Sequence, residues 1–279
     1  MIPTKKFKTM LIVAKLQAPL KRDTFTKRAL LMYLLQQGTM RHPSVIALQK
    51  ALNKLYGASL SVDVAKKGPN HIFSIRMEVA NEKFIRHESE LLKDALQLFK
   101  DILSSPIVQD GAFDQQMFAR EKETLRQKIQ SIRDDKMAYA NMRLIDEMCQ
   151  GEAYQLRVHG YEEDLDALTP ENVYTYYKSL LTKDRLDLFV VGDMSIDVVQ
   201  QNIYDIFGEE GYLTNSEQDN VVLINETPNI KQVREVVAYE EIEQAKLHIG
   251  YRTHTTFSDP LYFALQVFNG LYGGFPTSK

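Results

Sequence analysis

The sequence predicts an α+β fold, with an antiparallel-rich sheet flanked by helices and the start of a second domain behind it. Three observations carry that class. Two alternating segments, Ala58 to Val64 and Asn70 to Val79, are joined through Gly68-Pro69, the pattern of an antiparallel hairpin. Helical periodicity runs through most of the stretch from Glu88 to Leu181. Further strand patterns lie at Lys8 to Leu20 and at Leu186 to Val191.

The elements follow in order. Met10-Leu11-Ile12-Val13-Ala14 opens a strand that continues in alternation through Leu16, Ala18 and Leu20. Thr26 to Gln37 is apolar nearly all round and stops at Gly38, which predicts a buried helix. After His42-Pro43, Ser44 can cap a second helix through Leu55, with Ile46, Leu48, Ala51, Leu52 and Leu55 at helical spacing and Gly57 ending it. The hairpin comes next. A helix from about Glu88 to Ile102 is broken by Ser105-Pro106, and a long charge-rich helix is expected from Asp114 to Gln150. Thr169-Pro170 is a cap with proline at the first helical position, starting a helix to Leu181. The strand Leu186 to Val191 ends at Gly192-Asp193 and a helix over Ile196 to Ile206 follows.

Composition bounds the rest. The chain has 279 residues, 44% hydrophobic and 25% charged, so it can bury a large core without crosslinks. Lys+Arg 34 against Asp+Glu 37 gives a net charge of -3, which excludes a nucleic-acid-binding or polybasic membrane protein. The lone Cys149 cannot form an internal disulfide. There is no signal-peptide pattern and no apolar run long enough for a membrane span, so the chain reads as soluble and cytoplasmic. Residues 211–230 are polar and turn-rich and form the expected linker. That divides the chain into a first domain, 1–210, and a segment 231–279 with strand patterns at Val233 to Ala238 and Ala245 to Tyr251 and a helix from Pro260 to Tyr272. This segment is too short for a whole domain and is expected to be the truncated start of one.

No catalytic constellation is visible. The six histidines include no pair at the His-x-x-x-His spacing that sets two imidazoles on one helical face. His87 beside Glu90 and His159 beside Glu162 read as a solvated helix start and a loop. No nucleophile elbow, phosphate-binding glycine loop or Cys-x-x-Cys is present. The mixed charges from Arg120 to Lys128 read as a solvated helix face.

A resemblance goes further. Leu34-Leu35-Gln36-Gln37-Gly38-Thr39, Leu55-Tyr56-Gly57-Ala58, Phe118-Ala119-Arg120-Glu121-Lys122-Glu123, His159-Gly160-Tyr161-Glu162, Leu168-Thr169-Pro170-Glu171-Asn172, Tyr176-Tyr177 and Val190-Val191-Gly192-Asp193 occur in that order. Glu243-Gln244-Ala245 and Asn269-Gly270-Leu271-Tyr272-Gly273-Gly274 follow. Together they resemble the pitrilysin/insulinase family of zinc metallopeptidases across nearly the whole chain. The resemblance implies a LuxS/MPP-like metallopeptidase-family domain followed by a second, similar one.

The same resemblance implies that the zinc chemistry is gone. Counting back from Gly38-Thr39, the positions of the family's His-x-x-Glu-His hold Ala29-Leu30-Leu31-Met32-Tyr33. Ala29 and Tyr33 stand for the two histidines, Met32 for the general base, and Lys128 for the distal glutamate. Catalytic zinc needs three protein ligands and a base for its water. The expectation is therefore a degenerate member with no catalytic residues, metal or cofactor, similar to a bacterial branch associated with elongation-factor-P modification or peptide processing. Such members resemble the inactive half of a heterodimer, so the implied partners are an active zinc-peptidase relative and a peptide or small-protein substrate. The alternatives are an independent peptide-binding or scaffolding protein, and an active peptidase with a site outside the family pattern.

Overall fold

A computed structural model of the chain describes residues 1–85, 90–208, 233–239 and 243–274. It separates into two units, Met1–Leu223 and Ile224–Lys279. The predicted linker, 211–230, lies outside the described residues.

In the first unit the strands are β1 (Ile2–Pro3), β2 (Thr9–Pro19), β3 (Ser59–Lys67), β4 (Asn70–Ala80), the short pair β5 (Val108–Gln109) and β6 (Ala112–Phe113), and β7 (Arg185–Gly192). The main sheet has the order β1-β7-β2-β4-β3. It is antiparallel except where β1 runs parallel to β7. Its register explains its burial. Ile12, Ala14 and Leu16 of β2 lie opposite Met77, Ile75 and Phe73 of β4, which lie opposite Leu60, Val62 and Val64 of β3. Since residues directly opposite share a face, these form one apolar sheet of side chains. All but the partly covered Leu60 are buried. Ser59, Ser61 and Asp63, with Arg76 and Glu78, point to the other face and are exposed.

The helices are α1 (Phe25–Leu34), α2 (Val45–Lys54), α3 (Leu91–Ser104), α4 (Gln115–Gln130), α5 (Lys136–Met148), α6 (Pro170–Lys183) and α7 (Ile196–Phe207). Capping follows the sequence signals. The Ser44 side chain accepts from the Ala47 amide, and Thr169 forms a capping box with Asn172 ahead of Pro170. The apolar stripe of α3 is buried from Leu91 to Leu103 and joins α1 in the same core as the sheet.

Two expectations from the sequence fail. The single helix expected from Asp114 to Gln150 is two, α4 and α5, separated by a 3₁₀ turn at Ser131–Arg133. The cause is Asp135, whose carboxylate accepts from the Met137 and Ala138 amides and so starts a new helix. In the second unit, residues 233–239 and 245–251 carry no ladder among the described residues and are not strands. Their β-branched and aromatic side chains suit a strand but find no paired neighbour. That unit does contain a helix, α8 (Tyr262–Asn269), shorter than the predicted span.

Candidate functional site

Three of the residues that the resemblance sets at the zinc-motif positions, Ala29, Met32 and Tyr33, lie on α1, and the local sequence fixes how that helix is seated. Ala29, Leu30 and Leu31 are fully buried, so α1 is covered on nearly all sides. Its far end is held by Gly38-Thr39. Gly38 has φ +146, and a Cβ there would meet the His42 carbonyl oxygen at 2.5 Å. Thr39 is buried and exchanges backbone hydrogen bonds with His42. Its near end is held by Gly160, whose absent Cβ would fall 2.3 Å from Thr26 Oγ1. The Thr26 hydroxyl donates to Asp164 and accepts from the Tyr161 amide. Asp164 also pairs with Arg22.

Of the motif positions, Ala29 is at 0% exposure and Met32 at 9%, both in the apolar core. Tyr33 is half-buried and packs against that core. Lys128 is exposed on α4. On α4, Glu121, Leu125 and Lys128 follow at i, i+4 and i+7 and lie along one stripe. Leu125 and Glu121 are buried. Glu121 is close enough to Tyr33 for its charge to act with burial in pushing the phenol pKa up, so Tyr33 is a protonated donor at neutral pH. The Arg120 Nε donates to Glu121 Oε1 at 2.8 Å. The Lys128 charge reaches His159, whose pKa is lowered chiefly by burial and further by that ammonium. The structure thus brings Tyr33 to Glu121 and Lys128 to His159.

These groups do not fit a zinc ion. A buried methyl offers no donor, a thioether is a poor ligand for zinc, a phenol raised in pKa keeps its proton, and an ammonium repels a cation. Among the described residues no group of three His, Cys, Asp or Glu is placed to hold a metal. What remains is a half-buried phenol near a buried carboxylate held by arginine, and further along α4 an exposed cation whose charge reaches an imidazole. None of these is arranged to activate a water molecule on a metal.

Three buried polar residues escaped the sequence reading. Glu121 was counted in a solvated face. Arg28 lies in the middle of α1 at 0% exposure. Its guanidinium donates to Asp184 at 2.5 Å, to the Tyr176 hydroxyl at 3.2 Å and to the carbonyls of Leu16 and His71. Burial pushes the Asp184 carboxyl up, and the guanidinium pulls it back. His71, also at 0% exposure, stacks on Phe25 with centroids 4.2 Å apart. The available signal was Arg28 itself, since a charge directly ahead of the apolar run Ala29 to Leu35 must find a partner if the helix is buried.

Two units of this kind have close counterparts. Residues 167–279 match the family model described as the peptidase M16 inactive domain. Over its whole length the chain is 44% identical to a Bacillus subtilis protein named "Probable inactive metalloprotease YmfF", of which it spans 64%. A crystal structure of a conserved protein from Enterococcus faecalis V583 is similar over the whole chain, with a TM-score of 0.84 at 32% identity, again covering 64% of the longer molecule. A peptidase M16 inactive domain from Pseudomonas fluorescens shares the fold at a TM-score of 0.58 and 15% identity, covering 74% of this chain and 46% of its own. The chain therefore spans less than two thirds of the length of these two relatives. Among the described residues no helix is long and apolar enough to cross a membrane.

Proposed function

We propose that this chain, which is similar to inactive members of the M16 peptidase family, serves as the non-catalytic half of a peptide-processing assembly whose other half is an active zinc-peptidase relative. The observation that carries this reading is the packing of α1. Where a peptidase of this family would turn ligands and a base toward substrate, Ala29 and Met32 are absorbed into the core. A fold kept intact around an α1 without its chemistry is suited to supplying wall and binding surface instead. The half-buried Tyr33 and His159 and the exposed Lys128 offer polar groups able to bond a peptide backbone.

The test uses the full-length protein, incubated with a mixed peptide library, alone and with a candidate partner carrying an intact His-x-x-Glu-His. The reading expects no cleavage alone, co-purification with the partner, and cleavage that depends on the partner's glutamate. Chelator-sensitive cleavage by the protein alone overturns it in favour of a site outside the family pattern. Peptide binding without any such partner overturns it in favour of an independent binding or scaffolding role.

A further inference from the structure

We propose that His71 is the trigger of an acid-released latch, which at low pH frees residues 153–160 from the β3–β4 hairpin while the sheet stays folded. The latch does not depend on the family reading, and its trigger, His71, lies outside the motif positions.

The geometry is specific. His71 sits at the start of β4, opposite Lys66 of β3 and Ala18 of β2, so these three side chains share a face. Its ring is fully buried and lies nearly parallel to Phe25 of α1, at 17°. Neither ring nitrogen has a hydrogen-bond partner among the described residues. Lys66 does not bond the ring but reaches over to the 153–160 segment. Its Nζ donates to the carbonyls of Tyr154 at 2.5 Å and Leu156 at 2.8 Å, and lies 4.2 Å from the Tyr154 ring centroid. His159, on the same segment, is close enough for its charge to bear on His71, and its own Nδ1 is buried without a partner. The segment is a single 3₁₀ turn, Ala153–Gln155, and irregular chain with mostly half-exposed side chains. By contrast β4 lies inside the sheet with a strand on each side. Of the two, the segment is the part that opens at low cost.

The charges around the imidazole are nearly all of one sign. Arg28 faces it from α1, Lys66 from β3 and His159 from the segment, and Lys128 of α4 acts on His159. The carboxylates nearby are committed elsewhere. Asp184 is bonded to Arg28, and Asp146 of α5, with Cys149, acts on Lys66. Burial first, then Arg28, Lys66 and His159, push His71 down to about 3 from an ordinary 6.5. In the opened state the ring loses the His159 charge and gains access to water, so its affinity for a proton rises, while Arg28 and Lys66 still hold it below the ordinary value. Closure is therefore fully favoured above pH 6.5 and weakens as pH falls from 6.5 toward 3. Between pH 7.5 and pH 5 the opening equilibrium should rise several-fold, with about 30-fold as the ceiling for a ring fully restored to 6.5.

The experiment is hydrogen exchange read by mass spectrometry at pH 7.5 and pH 5.0, corrected for intrinsic exchange, on the wild type and on His71→Phe, which keeps the stacking area but cannot be protonated. The expected result is a several-fold larger opening equilibrium at pH 5.0, at most about 30-fold, confined to peptides covering 150–160 in the wild type and absent in His71→Phe. Unchanged protection there, an equal change in His71→Phe, or a uniform loss across β2 and β4 overturns the latch. Should His71→Phe fail to fold, imidazole NMR of the wild type decides. A His71 ring that titrates near 6.5 with native shifts retained overturns the proposal, and one that stays neutral in the closed form down to pH 4 upholds it.

Discussion

Arg28 and Met32 are neighbours on α1 and show opposite ways of filling a core position. Arg28 keeps its charge because Asp184, Tyr176 and two carbonyls surround it. Removing one partner leaves the other buried and unpaired, so Asp184→Ala should cost about 3–5 kcal/mol by denaturant titration. Replacing the pair together, Arg28→Met with Asp184→Leu, should cost far less than that single change, because no charge is stranded. An Asp184→Ala protein as stable as the wild type would show that water already reaches the guanidinium. Met32 has no such surroundings. Met32→Glu restores the chemical type of the family's general base but places a carboxylate in apolar packing at a site 9% exposed. The expected loss is about 2–4 kcal/mol. An unchanged melting temperature would mean that the side chain turns into an open cavity, which would favour a surviving active-site cleft.

At the scale of elements, most boundaries were legible because they depend on local chemistry. Thr169-Pro170 announces α6, and Thr169→Ala should cost about 1 kcal/mol by removing one side of the capping box. The hairpin β3–β4 follows from alternation and Gly68-Pro69. The break between α4 and α5 was missed because periodicity on either side is helical, and only the choice of Asp135 as a cap decides it. What could not be read locally is the seating of one element on another. Gly160 is an ordinary loop glycine in sequence, yet it is where the 157–168 chain touches α1. It has φ +77, and an added Cβ would lie 2.5 Å from Thr26 Cα. Gly160→Ala should therefore destabilise by roughly 2–5 kcal/mol, combining left-handed strain with overpacking against backbone. Calorimetry checks this, and a shift no larger than that of a neutral surface change would show that the loop can move away from α1.

The two units differ most at the scale of the molecule, and the sequence foresaw this only in part. The first owns a continuous core formed by Ile12, Phe73, Ile75, Leu96 and Phe99 with α1. Partners such as Arg28 and Asp184, or Thr26 and Gly160, are far apart in sequence, so this core's polar exceptions were invisible to patterns that see one element at a time. In the second unit the apolar residues were visible but their pairing was not. Val233, Tyr239, Leu247, Phe263 and Leu271 are exposed, Val233 to 98%, and α8 has no buried residue. Apolar surface of this extent drives association when net charge is small, and -3 over 279 residues gives little repulsion. A polypeptide of these 279 residues should bind an apolar dye such as ANS and self-associate with rising concentration in sedimentation. Phe263→Ser with Leu271→Ser should lower both signals, while the melting of the first unit, followed by near-ultraviolet dichroism of its tyrosines, stays within about 0.5 kcal/mol of the parent. Dye binding that persists undiminished in the double variant would place the sticky surface on the first unit, where Phe7, Ile46 and Tyr204 are the exposed alternatives, and would reverse the assignment of which unit seeks cover.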